Sequence, residues 1–510
     1  MPFPTREVSF SPTLSIQKHP RLLPEAPLVL VSNREPYVHE RDDRGDVHVH
    51  RPAGGLVTGV EPLLRAAGGT WIACGSGSAD RETCNGLGRL RVPPEKPEYT
   101  LRRLFLTDDE VSRYYDGFAN QALWPLCHRV HTRPRFRPEE WEMYREVNRR
   151  FAKAAADEAG NAGIVLVQDY HFALVPRLIR DAAAGATVGI FWHIHWPHPE
   201  AFEICPWTAE ILDGMLAADT IGFHTRDYCR NFLETVARTL PSDVDLEAMT
   251  VQYRGHRTAV RPYPISVEWP HPVASRAEGR MVRSRLGIRD DVHVSIGVDR
   301  ADYTKGLLER VDAIDLLLTH HPELIGRYVH VQLTAPSRTR IFEYQQLGAE
   351  LQSRVDEVNR RHGRVGYRPI VLQMRSFTPD EVRVHYAMAQ SAVVTPLHDG
   401  MNLVAKEYIA SCADRKGVLV LSRFAGAAAE LPDAILVNPY DTQQVASAIF
   451  HAIHIQPEER ESRMKALRAA VASNSIADWS RKLVGDLAEI WSRRHRQKGQ
   501  PAMARLQPMA

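Results

Sequence analysis

Short apolar runs alternate with amphipathic stretches along most of this chain. The first runs cover 28–32, 164–168 and 188–192, and they are rich in valine, isoleucine and leucine. Apolar runs of this length predict buried strands, and the amphipathic stretches predict helices, near 172–184 and from Gly306. Strands that alternate with helices are typical of a mostly parallel α/β sheet.

A second series of strands begins near Val292. Two series in a chain of 510 residues predict two Rossmann-like, doubly wound domains that face a cleft, because a single core rarely extends over so many residues. The apolar runs of the second series cover 293–298, 329–333, 370–373, 392–397 and 418–421.

The proline-rich stretch 261–272 separates the two series and predicts a linker between domains. A last amphipathic helix follows the second sheet and is expected to fold back on the first domain. The predicted division is an extension at 1–26, an N-terminal domain at 27–267, a C-terminal domain at 268–477, the helix at 478–495 and a fraying tail at 496–510.

The composition is that of an average globular protein, with 25% charged and 44% hydrophobic residues. A net charge of +2 argues against nucleic acid or an anionic membrane as a partner. No apolar run reaches the roughly 18 residues that a membrane-spanning helix needs. Six scattered cysteines without a CxxC pair, and no secretory signal, predict a cytoplasmic protein. Its size is compatible with a homo-oligomer.

The segment Asp399–Glu407 carries the most specific chemistry in the chain. It joins the apolar run 392–397 to a predicted helix over 403–410. In an open α/β sheet, ligands bind at such a strand-to-helix turn. The free N–H groups of the helix start suit a diphosphate, and the two carboxylates suit sugar hydroxyls. The segment therefore predicts a sugar-nucleotide site.

A second motif, Asp299–Gly306, directly follows a predicted strand. Its Arg300 and Lys305 could neutralise the charge that builds on a departing diphosphate. The alternative is a surface ion pair with Asp299 or Asp302. This alternative is disfavoured because a second ligand-binding motif follows a neighbouring strand.

Two loops near the N-terminus are weaker signals. Ser32-Asn33-Arg34 follows the first strand, and Gly54-Gly55 precedes the next helix. A glycine pair allows close approach of a phosphate or sugar, although a plain turn is commoner. Gly75-Ser76-Gly77 lacks the context of a dinucleotide fold, so it is interpreted as a loop.

An aromatic segment covers 114–125. Aromatic residues at this density are usually core, as expected for Phe118 and Leu123, but Tyr115 and Trp124 could stack on a sugar. Arg338 follows the run 329–333 and could reach an acceptor phosphate, with an exposed arginine as the alternative.

Histidines and aspartates also follow two strands of the first series, within 168–171 and 191–200. Three histidines in the second stretch could bind zinc, but without an HExxH pattern a hydrogen bond from one histidine to a sugar is favoured. Residues 243–245 have the spacing of a metal-binding DxD motif, but they are interpreted as a polar loop.

Together these motifs resemble the trehalose-6-phosphate synthases, retaining glycosyltransferases of the GT-B architecture. The resemblance covers about 28–490, and six separated motifs agree in order and spacing. It implies that the N-terminal domain binds glucose 6-phosphate and the C-terminal domain binds a nucleotide-diphosphate glucose, UDP-glucose in the first instance. The implied acceptor residues are Arg34, Tyr115, Trp124, Asp169 and Arg338. The implied donor residues are Gly55, Arg300, Lys305, Asp399, Gly400, Met401, Asn402, Leu403 and Glu407.

The resemblance assigns the reaction itself to His193, Asp169, Arg300, Lys305 and Asp399. It implies no protein nucleophile and no metal or other cofactor, since the leaving phosphate would take the acceptor proton. Small-molecule substrates are the implied partners. No glycosidase-type carboxylate pair is evident in the sequence.

The sequence also departs from the family pattern. His195 stands where the family usually has proline, and His398 where it often has arginine. The segment 35–37 is similar to glucosylglycerol-phosphate synthases, which use glycerol 3-phosphate, and 212–216 and 254–258 are similar to pseudo-glycosyltransferases. A non-catalytic binding protein is a further alternative, although the donor residues are all present.

Overall fold

The protein is described by a computed structural model for residues 26–52, 55–414 and 416–499. The predicted extension before Ala26, residue Gly54 and the tail beyond Gly499 lie outside the described residues. Within that part of the chain, no helix is long and apolar enough to cross a membrane.

The first half of the chain forms a ten-stranded sheet and a separate two-stranded hairpin, β2 with β3. Its strands are β1 (Leu28–Val31), β2 (Val38–Arg41), β3 (Val47–His50), β4 (Thr70–Cys74), β5 (Arg89–Val92), β6 (Tyr99–Leu104), β7 (Ile164–Gln168), β8 (Thr187–Phe191), β9 (Thr220–Phe223), β10 (Asp243–Asp245), β11 (Thr250–Tyr253) and β12 (His256–Pro262). Its helices are α1 (Gly55–Ala67), α2 (Asp108–Val111), α3 (Trp124–His128), α4 (Pro138–Ala159), α5 (Val175–Ala182), α6 (Pro199–Phe202), α7 (Thr208–Met215) and α8 (Arg226–Thr239).

The second half forms a six-stranded, all-parallel sheet. Its strands are β13 (His293–Arg300), β14 (Tyr328–Ala335), β15 (Ile370–Met374), β16 (Ser391–Val394), β17 (Val418–Ser422) and β18 (Ile435–Val437). Its helices are α9 (Arg276–Arg285), α10 (Leu307–His320), α11 (Phe342–His362), α12 (Pro379–Met388), α13 (Leu403–Ser411), α14 (Thr442–His454) and α15 (Pro457–Ala472), and α16 (Ile476–Gly499) ends the described chain.

Both sheets have the doubly wound order that the sequence predicts. In the first sheet the parallel strands run β12-β9-β8-β7-β1-β4-β6, and β5, β10 and β11 extend its edges in antiparallel pairs. In the second sheet the order is β15-β14-β13-β16-β17-β18. The order of the strands along the sheet reverses beside β1 and beside β13. Ligands of such sheets bind at the carboxyl ends of the strands at these switch points.

Helix α16 returns to the first sheet, where it packs against α1, β7 and β8. The Trp491 indole donates to Ala162 O at 2.6 Å, and Arg494 binds the Asp219 carboxylate at 2.6 Å. The helix starts at Ile476 and continues to Gly499, and the fraying expected beyond Arg496 stays a prediction. The exact domain limits stay a prediction.

The chain crosses between the two sheets twice, and the two crossing segments touch. The amide of Ile476 donates to Val267 O at 2.9 Å, and the Asn474 side chain donates to Pro264 O at 2.8 Å. Between those two positions, Ile265 O accepts a hydrogen bond of 2.8 Å from the buried ammonium of Lys406. Helix α13 is thus attached to the crossing itself.

Several predicted elements have different limits in the structure. The strand expected over 392–397 ends at Val394, because Pro396 has no N–H for a ladder and Leu397 N bonds to Thr304 O instead. The helix expected near 172–184 begins at Val175, after a 3₁₀ turn. The polar loop expected over 243–245 is the edge strand β10, which pairs with β11.

The aromatic segment has a conformation that the sequence did not predict. Ser112–Leu123 form a π-helix, and the amide of Trp124 continues its i→i+5 pattern by bonding to Ala119 O. Residues nine apart span about two wide π turns, so Tyr115 and Trp124 both reach the same cavity. Phe118 and Leu123 are fully buried, which confirms their predicted place in the core.

Candidate active site

A cavity of about 550 Å³ lies between the carboxyl ends of the two sheets. Its walls follow β1, β7 and β8 on one side and β13, β14 and β16 on the other, so both switch points open into it. The predicted residues that line it are Arg34, Tyr115, Trp124, Asp169, His193, Arg300, Lys305, Arg338, Asp399, Met401, Asn402 and Leu403.

Arg338 is the most constrained cation of the cavity. Its guanidinium donates to Asp302 at 2.8 Å and to the Tyr344 hydroxyl, and it lies 3.9 Å from the ring centroid of Trp124. The side chain is only 4% exposed, so the alternative of a surface arginine is wrong. A buried, fixed guanidinium presents its remaining donors in one geometry, as recognition of a phosphate requires.

Asp302 joins the cations of the second sheet. Its carboxylate is fully buried, accepts from Arg338 at 2.8 Å, and lies 3.8 Å from the Arg300 guanidinium. Burial alone would raise the pKa of Asp302, but Arg338, Arg300 and Lys305 together lower it to about 2. The carboxylate is therefore ionised and keeps mutually repelling cations close together.

The donor turn is held by an ion pair. Lys305 Nζ donates to the Asp399 carboxylate at 2.5 Å, and the Asn402 amide donates to the same carboxylate at 3.1 Å. Burial raises the pKa of Asp399, yet Lys305 and Asn402 bring it below its ordinary value. The Asn402 side chain also caps α13 by accepting from Ala405 N at 3.1 Å. Leu403 and Val404, which open this helix and whose N–H groups have no partner within it, line the cavity.

Two predicted donor residues do not line the cavity. Gly400 instead packs against the first half of the chain, because a Cβ there would lie 2.3 Å from His193 O. Glu407 lies one turn into α13 and accepts from the Tyr386 hydroxyl at 3.2 Å. Gly55 opens α1 beside residues that are not described, so its relation to the cavity stays a prediction.

The first sheet contributes a carboxylate and a neutral imidazole. Asp169 Oδ1 accepts from the amides of Tyr170 and His193 at 2.9 and 3.0 Å, and His193 Nε2 bonds to Gln168 Oε1 at 2.8 Å. Burial raises the pKa of Asp169 to about 6 and lowers that of His193 well below its ordinary value. At neutral pH the pair is a carboxylate beside an uncharged ring.

Four polar atoms of the cavity wall are buried without a hydrogen-bond partner in the described part of the chain. They are Nε1 of Trp124, Nε2 of Gln168, Nε2 of His171 and Nε of Arg338. Unpaired buried polar atoms cost about 1–3 kcal/mol each. Such atoms are suited to bind a polyhydroxylated, charged ligand.

Three non-glycine residues of the cavity have left-handed backbone conformations. Asp169, Arg338 and Asn402 have φ values of 74°, 45° and 77°. Such conformations cost about 1–3 kcal/mol each and are concentrated at functional sites. The backbone therefore stores strain at one position in the wall from the first half of the chain and at two positions in the wall from the second half.

Tyr115 lies where the cations of both halves converge. It stacks on His171 with ring centroids 5.6 Å apart. Burial raises the pKa of its phenol, but Arg338 and Arg34 more than offset this and lower the pKa below its ordinary value. This part of the cavity has a positive potential that favours an anionic group.

The loop of Arg34 rests on a buried ionic network. Glu35 accepts from Arg103 Nε at 2.6 Å and from the Ser76 amide at 2.9 Å. Oδ1 of Asp80 lies 2.8 Å from Nη2 of the same arginine. Burial and the neighbouring Asp80 raise the pKa of Glu35 to about 8. The two carboxyl groups therefore share one proton at neutral pH.

This network predicts how stability depends on pH. Because the pKa of Glu35 rises from 4.5 to about 8 on folding, its contribution is full at low pH and is lost as the pH rises toward 8. Glu35→Gln is expected to remove that loss, so the variant gains on the wild type by up to about 1.4 kcal/mol per pH unit between these values. Urea unfolding at several pH values measures the difference. The exposed Glu40→Gln variant should run parallel to the wild type, and a pH-independent difference for Glu35→Gln would contradict the assignment.

The histidines at 193, 195 and 198 do not form a metal site. His193 faces Gln168, His195 bonds to Cys127 O at 2.9 Å and His198 is exposed. No group of three or more His, Cys, Asp or Glu side chains that could hold a metal ion exists among the described residues. His195 also packs edge-on against His398 at 4.2 Å, so the two departures from the family pattern touch across the cleft.

Sequence reasoning missed Asp302, Tyr344, Gln168 and His171. Asp302 was considered only as an ion-pair partner, and the contact that makes it functional spans 36 residues. Gln168 and His171 flank Asp169, so their place after β7 was a usable signal. No local sequence pattern identifies Tyr344, which only the fold brings to Arg338.

Comparisons with known proteins agree with this geometry. A model described as "Glycosyltransferase family 20" matches residues 26–489. A trehalose-6-phosphate synthase from Mycolicibacterium smegmatis is 39% identical over 475 residues, which cover 90% of this chain and 92% of the relative.

Two solved structures have the same fold. One, "Trehalose-6-phosphate from E. coli bound with UDP-2-fluoro glucose", has a TM-score of 0.81 at 29% identity and covers 91% of this chain and 99% of its own. The other is an α,α-trehalose-phosphate synthase (UDP-forming) from Burkholderia xenovorans in complex with glucose 6-phosphate. Its TM-score is 0.79 at 28% identity, with 90% of this chain and 99% of its own covered.

Proposed function

Because the chain belongs to glycosyltransferase family 20, we propose that it transfers glucose with retention from UDP-glucose to glucose 6-phosphate, forming trehalose 6-phosphate. One observation carries the proposal. A single cavity is lined by four cations, Arg34, Arg300, Lys305 and Arg338, and by buried side chains whose polar atoms have no partner among the described residues. This arrangement fits one ligand with a diphosphate and another with a phosphate.

Arg300 and Lys305 bind the diphosphate of the donor and stabilise the charge that develops as it leaves. Asp399 and the N–H groups at the start of α13 hold the donor glucose. Glu407 is assigned to the nucleotide ribose, for which its hydrogen bond with Tyr386 has to be exchanged. The relative from E. coli binds a UDP-glucose analogue, which supports uracil as the base of the donor nucleotide.

Arg34, Tyr115, Trp124 and Arg338 bind the acceptor, glucose 6-phosphate. Asp169 and His193 orient sugar hydroxyls, since the Asp169 carboxylate already accepts two backbone hydrogen bonds that fix it in place. Asp399 is likewise held by Lys305 and Asn402. Both carboxylates are arranged to hold hydroxyl groups, and the acceptor proton goes to the departing diphosphate oxygen.

The proposal is tested by incubating the enzyme with UDP-, GDP- and ADP-glucose, each against glucose 6-phosphate and glycerol 3-phosphate. Nucleotide release and the disaccharide product are measured. Release with UDP-glucose and glucose 6-phosphate is expected, also in EDTA, because the reaction is proposed to be metal-independent. Release only with glycerol 3-phosphate would overturn the acceptor assignment. A cytoplasmic location and a homo-oligomeric state stay predictions.

Asp169 should give the reaction an acidic limb. With a pKa of about 6, its carboxylate becomes protonated as the pH falls through that value and no longer accepts from a sugar hydroxyl. The acceptor phosphate gains a proton near the same pH. Below about pH 6, the logarithm of kcat/KM for glucose 6-phosphate is therefore expected to fall with decreasing pH. The slope should be near two in the wild type and near one in Asp169→Asn. Equal slopes in the two proteins, measured from about pH 5 to 8, would remove Asp169 from this role.

A further inference from the structure

A second cavity, of about 610 Å³, lies at the opposite edge of the second sheet. Among the residues that line it, Asp290, Gln390 and Gly417 stand just before β13, β16 and β17. The cavity therefore opens at the amino ends of these strands, whereas the candidate active site lies at their carboxyl ends. None of its lining residues also lines the active-site cavity.

Basic side chains dominate this second cavity. Helix α9 places Arg276, Arg280 and Arg283 along one face, at the i, i+4 and i+7 positions, and Lys416 and Arg460 complete the set. The carboxylates in the lining are Asp290 and Asp414, and Asp414 is paired with Arg276 at 2.7 Å.

Several of these polar groups have capacity left for a ligand. Arg280, Lys416 and Arg460 have no ion-pair partner within the described chain. Arg283 is 6% exposed and binds Val292 O, but its Nε is buried without a hydrogen-bond partner in the described residues, and so is Oγ of Ser411. Buried donors that stay unpaired are costly, and cations beside them favour an anion.

The cavity is connected to the donor turn by two helices. Helix α13 starts at the turn with Leu403 and ends at the cavity with Ser411. On α12, Tyr386 lines the cavity and donates to Glu407 at 3.2 Å, while Val382 lines the active-site cavity. Helix α12 has ten residues and α13 has nine, so each extends from one cavity to the other as a single helix.

We propose that this cavity is a binding site for a small phosphate-bearing anion, and that its occupation changes the affinity for the nucleotide-sugar donor through α12 and α13. The binding part is independent of the proposed transferase reaction, and the coupling part rests on it. Arginines that serve only as partners for the carbonyl groups at the ends of α12 and α13 would stabilise the fold without binding phosphate.

Hydrogen–deuterium exchange with inorganic phosphate as the probe tests the binding. The active site is first saturated with UDP and glucose 6-phosphate, and chloride keeps the ionic strength constant. Slower exchange is expected over 276–286 and 411–417 in the wild type. The protection should disappear in an Arg280→Gln/Arg460→Gln variant and persist in Arg360→Gln, an exposed arginine on α11. Ribose 5-phosphate in a parallel arm distinguishes an organic phosphate from free phosphate by the stronger protection.

Steady-state kinetics test the coupling. Phosphate also competes at the active site, so the informative quantity is the difference between the wild type and the double variant. A change of about fivefold or more in the KM for UDP-glucose is expected in the wild type beyond that seen in the variant. No protection in the wild type, or equal protection in the double variant, overturns the site, and equal phosphate dependence of KM overturns the coupling. If thermal unfolding shows that the double variant is not folded, Lys416→Gln takes its place.

Discussion

A Lys305→Met variant is expected to lose about 10²- to 10³-fold in kcat. The ammonium of Lys305 is buried and lies 2.5 Å from Asp399, so it is fixed before the diphosphate begins to leave. A donor fixed in advance stabilises the developing charge without reorganisation. Methionine is one atom shorter than lysine, fills most of the same volume, and removes the charge together with the ion pair to Asp399.

The loss should appear in kcat more than in the KM for UDP-glucose, since Arg300 still binds the ground-state diphosphate. Lys153→Met, which removes an exposed lysine of α4, is the matched control and should behave as the wild type. Initial rates and thermal unfolding are measured on both variants. A folded Lys305→Met enzyme with unchanged kcat would show that Lys305 does not act on the leaving group.

An Arg338→Ala variant is expected to raise the KM for glucose 6-phosphate by about 10- to 100-fold, because hydrogen bonds to a charged group contribute about 1.5–3 kcal/mol. The KM for UDP-glucose should change far less. The effect should depend on the phosphate itself, so the preference of the enzyme for glucose 6-phosphate over glucose should shrink by the same factor.

Arg340→Ala is the control for this prediction. Arg340 is two residues further on, is largely exposed, and pairs with Asp108 across the cleft. Its loss should leave acceptor discrimination unchanged. An unaltered ratio of glucose 6-phosphate to glucose use in Arg338→Ala would assign the acceptor phosphate to other residues.

Much of the fold could be predicted from the sequence because parallel α/β sheets are encoded locally. The runs at 28–32 and 293–298 contain enough apolar residues to identify β1 and β13, and the turns after them follow directly. The segment 399–407 could be predicted for the same reason, because a strand, a turn and a helix start follow one another directly in the sequence.

The rest of the site depends on contacts between distant residues. The partners of Arg338 are at 302, 344 and 124, and no periodicity links them. The π-helix that directs Tyr115 and Trp124 into the cavity is stabilised by its tertiary surroundings, since a twelve-residue run of this kind has no sequence signature. The left-handed backbone of Arg338 is equally invisible before folding.

The paired crossings of the chain have a mechanical consequence. A single connection would leave the two halves free to rotate and twist relative to each other. Here the segments at 264–267 and 474–476 are bonded side by side, and Lys406 fastens α13 to them. Such a joint is expected to let the two halves open but to resist sliding, so that Arg34 returns to the same position relative to Arg300, Lys305 and Arg338.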